Sequence, residues 1–78
     1  MLKFKLISNK NGILQYEYKP EGDKEAGIIS YNIYTKEFDL LKKSSFDEFT
    51  SYACHMISKI EIMAKKNIFD SEGIVCWC

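Results

Sequence analysis

The sequence contains no arginine, one proline, one histidine and no apolar run that approaches the length of a membrane span. Arginine most often forms the forked contacts to phosphates and guanine bases, so its absence argues against nucleic-acid binding. Eleven acidic residues balance the eleven lysines, which leaves no basic excess for a phosphate backbone. A membrane helix needs about 18 apolar residues, and the alternating start over residues 1–6 is unlike a signal peptide. These features favour a cytoplasmic protein without a membrane span.

The length and composition favour one folded domain over residues 1–78. The hydrophobic share is 46% and the aromatic share 14%, which is too apolar for a disordered chain. Five Tyr, five Phe and one Trp can fill a thin core, since each ring buries a large area. Three cysteines are an odd number, which fits reduced thiols in a reducing compartment better than a disulfide framework.

Apolar residues recur with period two through the first half of the chain, which predicts half-buried strands. The predicted strands are Leu2–Leu6, Ile13–Lys19, Ile28–Tyr34 and Glu37–Lys42. Residues 8–12 have the composition of a turn, because Asn11 and Gly12 tolerate the positive φ of a tight hairpin. Pro20 is predicted to end the second strand, and a polar loop to join the second and third strands. These strands form an antiparallel meander with one apolar face.

The apolar period changes to 3.6 after residue 44, which predicts an amphipathic helix. Ser45 and Glu48 form a capping box at its start, and Asn67 is the predicted stop. A short final strand is predicted over Ile74–Cys78. The fold class is therefore α+β, in the order β-β-β-β-α-β. The helix should cover the sheet face that carries six apolar side chains: Phe4, Leu14, Tyr16, Tyr31, Ile33 and Phe38.

Three sequence motifs together suggest a family. The second strand ends in Tyr18-Lys19-Pro20-Glu21-Gly22, the helix carries Tyr52-Ala53-Cys54-His55, and the last segment contains Trp77. The chain resembles a group of small uncharacterised bacterial proteins that share a Tyr-Pro-Glu-Gly strand end, a Tyr-Ala-x-His helix and a Trp-containing last strand. The resemblance implies a complete bacterial domain and no particular activity. The chain departs from the group's pattern at Lys19, where Tyr is usual, and at Lys36, where a turn Gly is common.

Cys54, His55, Cys76 and Cys78 are the residue types of a tetrahedral zinc site. Neighbouring helix residues point about 100° apart, so the side chains of Cys54 and His55 should diverge. The alternative is that Cys54 and Cys76 are small buried apolar residues. We therefore expect three reduced thiols, with no bound metal and no cofactor, and keep a metal-dependent or Cys/His-dependent protein as an alternative.

His55 could also act as a catalytic base, with Ser51 and Ser58 on the same side of the predicted helix. A Ser–His pair needs a third orienting group and an oxyanion pocket, and the sequence indicates neither. The loop over residues 21–27 alternates carboxylates like a calcium loop, but Lys24 opposes the charge and Asn32 stands where a Glu ligand is expected. A solvated helix face and a solvated loop are therefore the favoured interpretations.

The sequence is best interpreted as a non-enzymatic interaction module that contacts a protein partner or itself. Ile62 lies about 180° around the helix from Ala53, where a charged residue is expected, and about two turns from His55. A helix stripe of Ser51, His55, Lys59 and Ile62 is therefore the candidate contact surface. A nucleic-acid-binding accessory protein is the second alternative.

Overall fold

A computed structural model describes residues 1–22, 25–44 and 51–76. Its elements are β1 Leu2–Lys10, β2 Ile13–Pro20, β3 Gly27–Asn32, β4 Phe38–Lys42, α1 Ser51–Lys66 and β5 Glu72–Val75. The predicted capping box of Ser45 and Glu48 lies outside the described residues. So do Asp23 and Lys24 of the polar loop, and Trp77 and Cys78 of the predicted last strand.

The five strands form one antiparallel sheet in the order β4-β3-β2-β1-β5. Consecutive strands of the meander are neighbours, so the predicted α+β fold is confirmed, with its order β-β-β-β-α-β. The last strand returns beyond the helix and pairs with β1 at the edge of the sheet. It spans Glu72–Val75, and so begins before the predicted Ile74.

The core lies between one face of the sheet and α1. Side chains of alternate strand residues point to the same face, so the period-two residues of three strands meet the helix there. The helix contributes the residues spaced at 3.6, which form its buried stripe. The core residues are Leu2, Phe4, Leu14, Tyr16, Tyr18, Ile29, Tyr31, Ala53, Met56, Ile60 and Met63. This arrangement confirms the predicted alternation of the strands and the predicted amphipathic character of the helix.

The first hairpin is tighter than predicted. β1 continues to Lys10, so residues 8–10 belong to the strand and only Asn11 and Gly12 form the turn. Both turn residues have positive φ, 53° and 78°, as a two-residue hairpin requires. The pairing register shifts between Leu6 and Ser8, which marks a bulge in β1. The predicted turn over 8–12 was too long, since polar residues at an exposed strand end resemble a turn.

The third strand is shorter than predicted, and two side chains expected in the core are exposed. β3 ends at Asn32, whose side-chain Oδ1 accepts the backbone N–H groups of Tyr34 (2.9 Å) and Thr35 (3.2 Å). The chain therefore turns at residue 33, and Ile33 is exposed in the turn rather than covered by the helix. The alternation over residues 37–40 likewise predicts that Leu40 points inward. Leu40 lies opposite the buried Ile29, but it is exposed on the edge strand β4.

The helix ends at the predicted residue. Asn67 adopts a left-handed φ of 54°, and its N–H donates to the carbonyl of Ala64 at 3.1 Å. The N–H of Ile68 reaches back to the carbonyl of Met63 at 3.1 Å, which completes a Schellman arrangement. Lys65 and Lys66 lie in the last turn, where cations interact favourably with the helix dipole.

The buried Tyr16 ties the segment after the helix to the sheet. Its hydroxyl donates to the backbone carbonyl of Asp70 at 2.8 Å. Burial, with a smaller contribution from the Asp70 charge, raises the pKa of Tyr16 from 10 to about 12. The pKa in the folded state is the higher one, so the stabilisation is complete below pH 10 and disappears as the pH rises through 12.

We expect Tyr16→Phe to lower the free energy of unfolding at neutral pH by about 1 kcal/mol, because the Asp70 carbonyl loses its donor. Between pH 10 and 12 the wild type should lose stability more steeply than Tyr16→Phe, because the Tyr16 phenol ionises in the unfolded chain at a lower pH than in the folded protein, and Tyr16→Phe has no such group. Urea unfolding at several pH values measures both effects. Parallel pH profiles for the two proteins would show that Tyr16 titrates alike in the folded and unfolded chains.

Candidate functional site

A groove runs between α1 and the edge strand β5. Its volume is about 400 Å³. We call it the α1–β5 groove, and its lining residues are His55, Ser58, Lys59, Ile62, Ile74, Val75 and Cys76. Three of the four residues in the predicted helix stripe, His55, Lys59 and Ile62, therefore lie on one wall. Ser51 is the first residue of α1, and its side chain lies outside the described part of the chain.

Helical and sheet periodicity together bring these walls to one place. Ala53, Met56, Ile60 and Met63 turn one face of α1 onto the sheet. The residues that line the groove follow on a neighbouring face, because residues three, four and seven apart lie on one side of a helix. On the other wall, Val75 lies opposite the buried Leu2 of β1, which places its side chain on the helix side of the sheet.

The groove presents apolar surface to solvent. Ile62 is 49% exposed and Ile74 53% exposed, which is high for isoleucine in elements that contact each other. Val75, Lys59 and His55 are half-buried at its sides. His55 is thus less exposed than the solvent-facing position predicted for it. The register sets Ile74 opposite Lys3, so its side chain points to the open face, whereas Val75 points to the helix. Ile62 and Val75 therefore supply the apolar surface between the two walls.

The described residues that line the groove carry charge of one sign. Lys59 contributes a positive charge, and no carboxylate is present among the described residues that line the groove. The larger hollow on the open face of the sheet, about 570 Å³, differs in this respect. There the register sets Lys5 opposite Glu17 on one side and Glu72 on the other, so charges of both signs alternate. The α1–β5 groove is therefore the stronger candidate for selective contact.

The two cysteines that the structure describes are exposed, although one interpretation of the sequence placed them in the core. Cys54 and Cys76 are free and exposed, so the interpretation that they are small buried apolar residues was wrong. Cys54 falls beside the buried helix stripe, and Cys76 follows the end of β5. Cys76 and His55 border the same groove, whereas Cys54 does not. Over residues 1–22, 25–44 and 51–76, no three His, Cys, Asp or Glu side chains are placed to hold a metal ion.

The other two sequence candidates have different outcomes. Ser58 and His55 both line the groove, as their spacing predicts, but no carboxylate among the groove's described residues could orient the imidazole. The proposed calcium loop includes Asp23 and Lys24, which lie outside the described residues. The absence of catalysis and of bound metal stays a prediction for both.

Sequence reasoning missed the second wall of the groove. Ile74 and Cys76 were assigned to a final strand, but strand order is set by long-range pairing that periodicity does not encode. One signal was available: a strand that follows a meander and a helix can reach only an edge of that sheet unless it inserts between paired strands. The described β5 takes the β1 edge.

No protein-family model, curated protein or solved structure matches the chain. Within the part of the chain that the structure describes, no helix combines the length and hydropathy needed to cross a membrane.

Proposed function

We propose that this protein is a small non-enzymatic interaction module that works by surface contact with a protein partner or with a second copy of itself. The contact surface is the α1–β5 groove. The observation that carries the proposal is the half-exposed Ile62 on one wall and Val75 on the other, beside Lys59. An apolar strip with a charge at its side is typical of an interface core and its rim.

The exposed thiols of Cys54 and Cys76 are consistent with action in the cytoplasm, where such thiols stay reduced. The resemblance noted in the sequence adds a bacterial origin to the proposal. Balanced charge over the whole chain suits selective protein contact better than binding to a polyanion.

A photo-crosslinking amino acid at position 62 tests the contact in living host cells. We expect ultraviolet light to join the protein to a discrete set of proteins, because Ile62 lies in the proposed interface. The added substitution Lys59→Glu should reduce the adducts at least about tenfold, since it reverses the charge at the rim. Adducts are identified by mass spectrometry, and an adduct of twice the chain mass would indicate self-contact.

The matched control places the same crosslinker at Tyr34, an aromatic residue 76% exposed in the β3–β4 turn. This position is more accessible than Ile62 and lines none of the groove. Adducts at position 62 that also form at position 34, or that persist with Lys59→Glu, would contradict the proposed surface.

A further inference from the structure

The strand β5 leaves one row of backbone groups unpaired at the edge of the sheet. β5 bonds to β1 on one side, and no described strand lies on its other side. Such an edge can accept a further strand through main-chain hydrogen bonds. Whether it can do so here depends on which residues of β5 point their N–H and C=O groups outward.

The direction of each backbone group follows from one hydrogen bond. The N–H of Leu6 donates to the carbonyl of Ser71 at 2.7 Å. The register continues from Lys5 opposite Glu72, so Leu6 and Ser71 also lie opposite each other. In an antiparallel ladder, bonded and non-bonded pairs alternate. The pair of Lys5 and Glu72 is therefore non-bonded, and Glu72 turns its backbone groups away from β1.

The same alternation assigns the groups nearest the groove. Val75, opposite Leu2, is in a bonded pair and directs its backbone groups to β1. Ile74, opposite Lys3, is in a non-bonded pair, so its N–H and C=O face the open edge. Ile74 also lines the α1–β5 groove. An added strand would therefore bond to Ile74 and lie along the groove.

The chemistry of the occupant follows from the two sides of that position. Towards the helix, alternate side chains of an added strand would meet the apolar surface of Ile62 and Val75 and the ammonium of Lys59. Towards the open face, the remaining side chains would lie beside Ile74 and Glu72 of β5, which Lys3 and Lys5 of β1 face across the ladder. The open face thus carries charges of both signs, but on the helix side Lys59 has no carboxylate beside it among the described groove residues, which complements a segment with an acidic side chain on that side.

We propose that the α1–β5 groove binds an extended acidic segment of a partner protein, which adds to the sheet as a strand beside β5. The proposal rests on the contact function proposed above and specifies its occupant. The segment bonds through its main chain to Ile74, packs an apolar side chain against Ile62 and Val75, and sets a carboxylate beside Lys59.

A second copy of this chain is a poorer occupant. Antiparallel pairing of two β5 strands places the two-fold axis perpendicular to the sheet, so both helices lie on the same side. The two copies of Lys59 would then lie on that same side, across the axis from each other. Like charges in such an interface oppose association.

The test selects ligands from a phage library of random twelve-residue peptides displayed against the full chain. We expect enriched sequences to carry an apolar and an acidic residue two positions apart, so that both side chains face the helix. The affinity of one selected peptide is then measured by calorimetry for the wild type and for Ile74→Pro, which removes the outward N–H without removing a bond to β1. Loss of that bond should weaken binding at least about tenfold.

The chain offers a matched control at the other edge of the sheet. The N–H of Asn32 donates to the carbonyl of Glu37 at 3.0 Å, so by the same alternation Leu40 turns its N–H to the open edge of β4. Leu40→Pro therefore makes the same chemical change far from the groove, and peptide affinity should stay within about twofold of the wild type.

A second measurement uses the unmodified protein, in case Ile74→Pro does not fold. Hydrogen exchange followed by NMR should show that the peptide slows exchange at the amides of Ile74 and Glu72, which face the open edge. The amide of Val75, which already bonds to β1, should change little.

Each remaining outcome decides the proposal. If Ile62→Glu abolishes peptide binding but Ile74→Pro does not, and the amide of Ile74 in the wild type stays unprotected by the peptide, strand addition is wrong and the contact function stands. If the library enriches no sequence with this apolar and acidic spacing, or neither variant alters binding, the proposed occupant is wrong. The failure of the contact function itself would show separately, as an absence of specific crosslinks at position 62. A dimer in sedimentation equilibrium that Ile74→Pro dissociates would assign the edge to a second copy instead.

Discussion

Gly27→Ala should lower the free energy of unfolding by about 2 kcal/mol, although alanine is the better strand residue. Gly27 lies opposite Tyr18 in the ladder between β3 and β2. A Cβ on Gly27 would overlap the ring carbons Cε1 and Cζ of Tyr18 and stand 2.5 Å from its hydroxyl oxygen. The ring is fully buried, and its hydroxyl accepts the N–H of Ser44 at 3.4 Å, so it cannot swing aside without loss.

A double-mutant cycle separates overpacking from any other cost of the substitution. In a Tyr18→Leu background the alanine methyl has room, so Gly27→Ala should cost at least about 1 kcal/mol less than in the wild type. Ser30→Ala, on the same strand but the opposite face, should change stability by about 0.5 kcal/mol or less. Equal costs of Gly27→Ala in both backgrounds would mean that Tyr18 does not oppose the methyl group.

The sheet could be predicted from sequence where burial on one face enforces a strict alternation. Leu14, Tyr16 and Tyr18 illustrate this, since a register slip of one residue would move all three to the solvent face. The ends of strands could not be predicted as well. Ile33 continues the apolar alternation, but the side chain of Asn32 bonds to the backbone ahead of it and begins a turn. Local hydrogen bonding of this kind competes with strand extension.

One wall of the candidate site could be predicted, because it depends on local contacts. The other wall depends on contacts between residues that are distant in the sequence. His55, Lys59 and Ile62 share a helix face by local geometry alone, so periodicity identified them. Their facing wall exists because β5 pairs with β1, a contact between residues more than sixty positions apart. No local pattern specifies such a pairing, and the free backbone groups of Ile74 follow only from the observed register.

The second large effect is expected from Ile60→Glu, which should leave the protein mostly unfolded at 25 °C. Ile60 is fully buried between α1 and the sheet, so a carboxylate there would lose its hydration. The apolar packing of the isoleucine side chain would be lost as well. A substitution of this kind costs upwards of about 4 kcal/mol, against a total stability of about 4 to 12 kcal/mol for a domain of this length. Circular dichroism and urea unfolding measure the loss.

Ile62→Glu is the matched comparison, because it makes the same chemical change two residues along the same helix. Ile62 is half-exposed, so its stability should change by about 0.5 kcal/mol while crosslinks and peptide binding at the groove are lost. The two substitutions therefore distinguish two faces of α1. The face of Ile60 stabilises the fold, and the face of Ile62 is exposed for contact. Severe unfolding of Ile62→Glu would place position 62 in the core, and the α1–β5 groove would then be a packing feature instead of a binding surface.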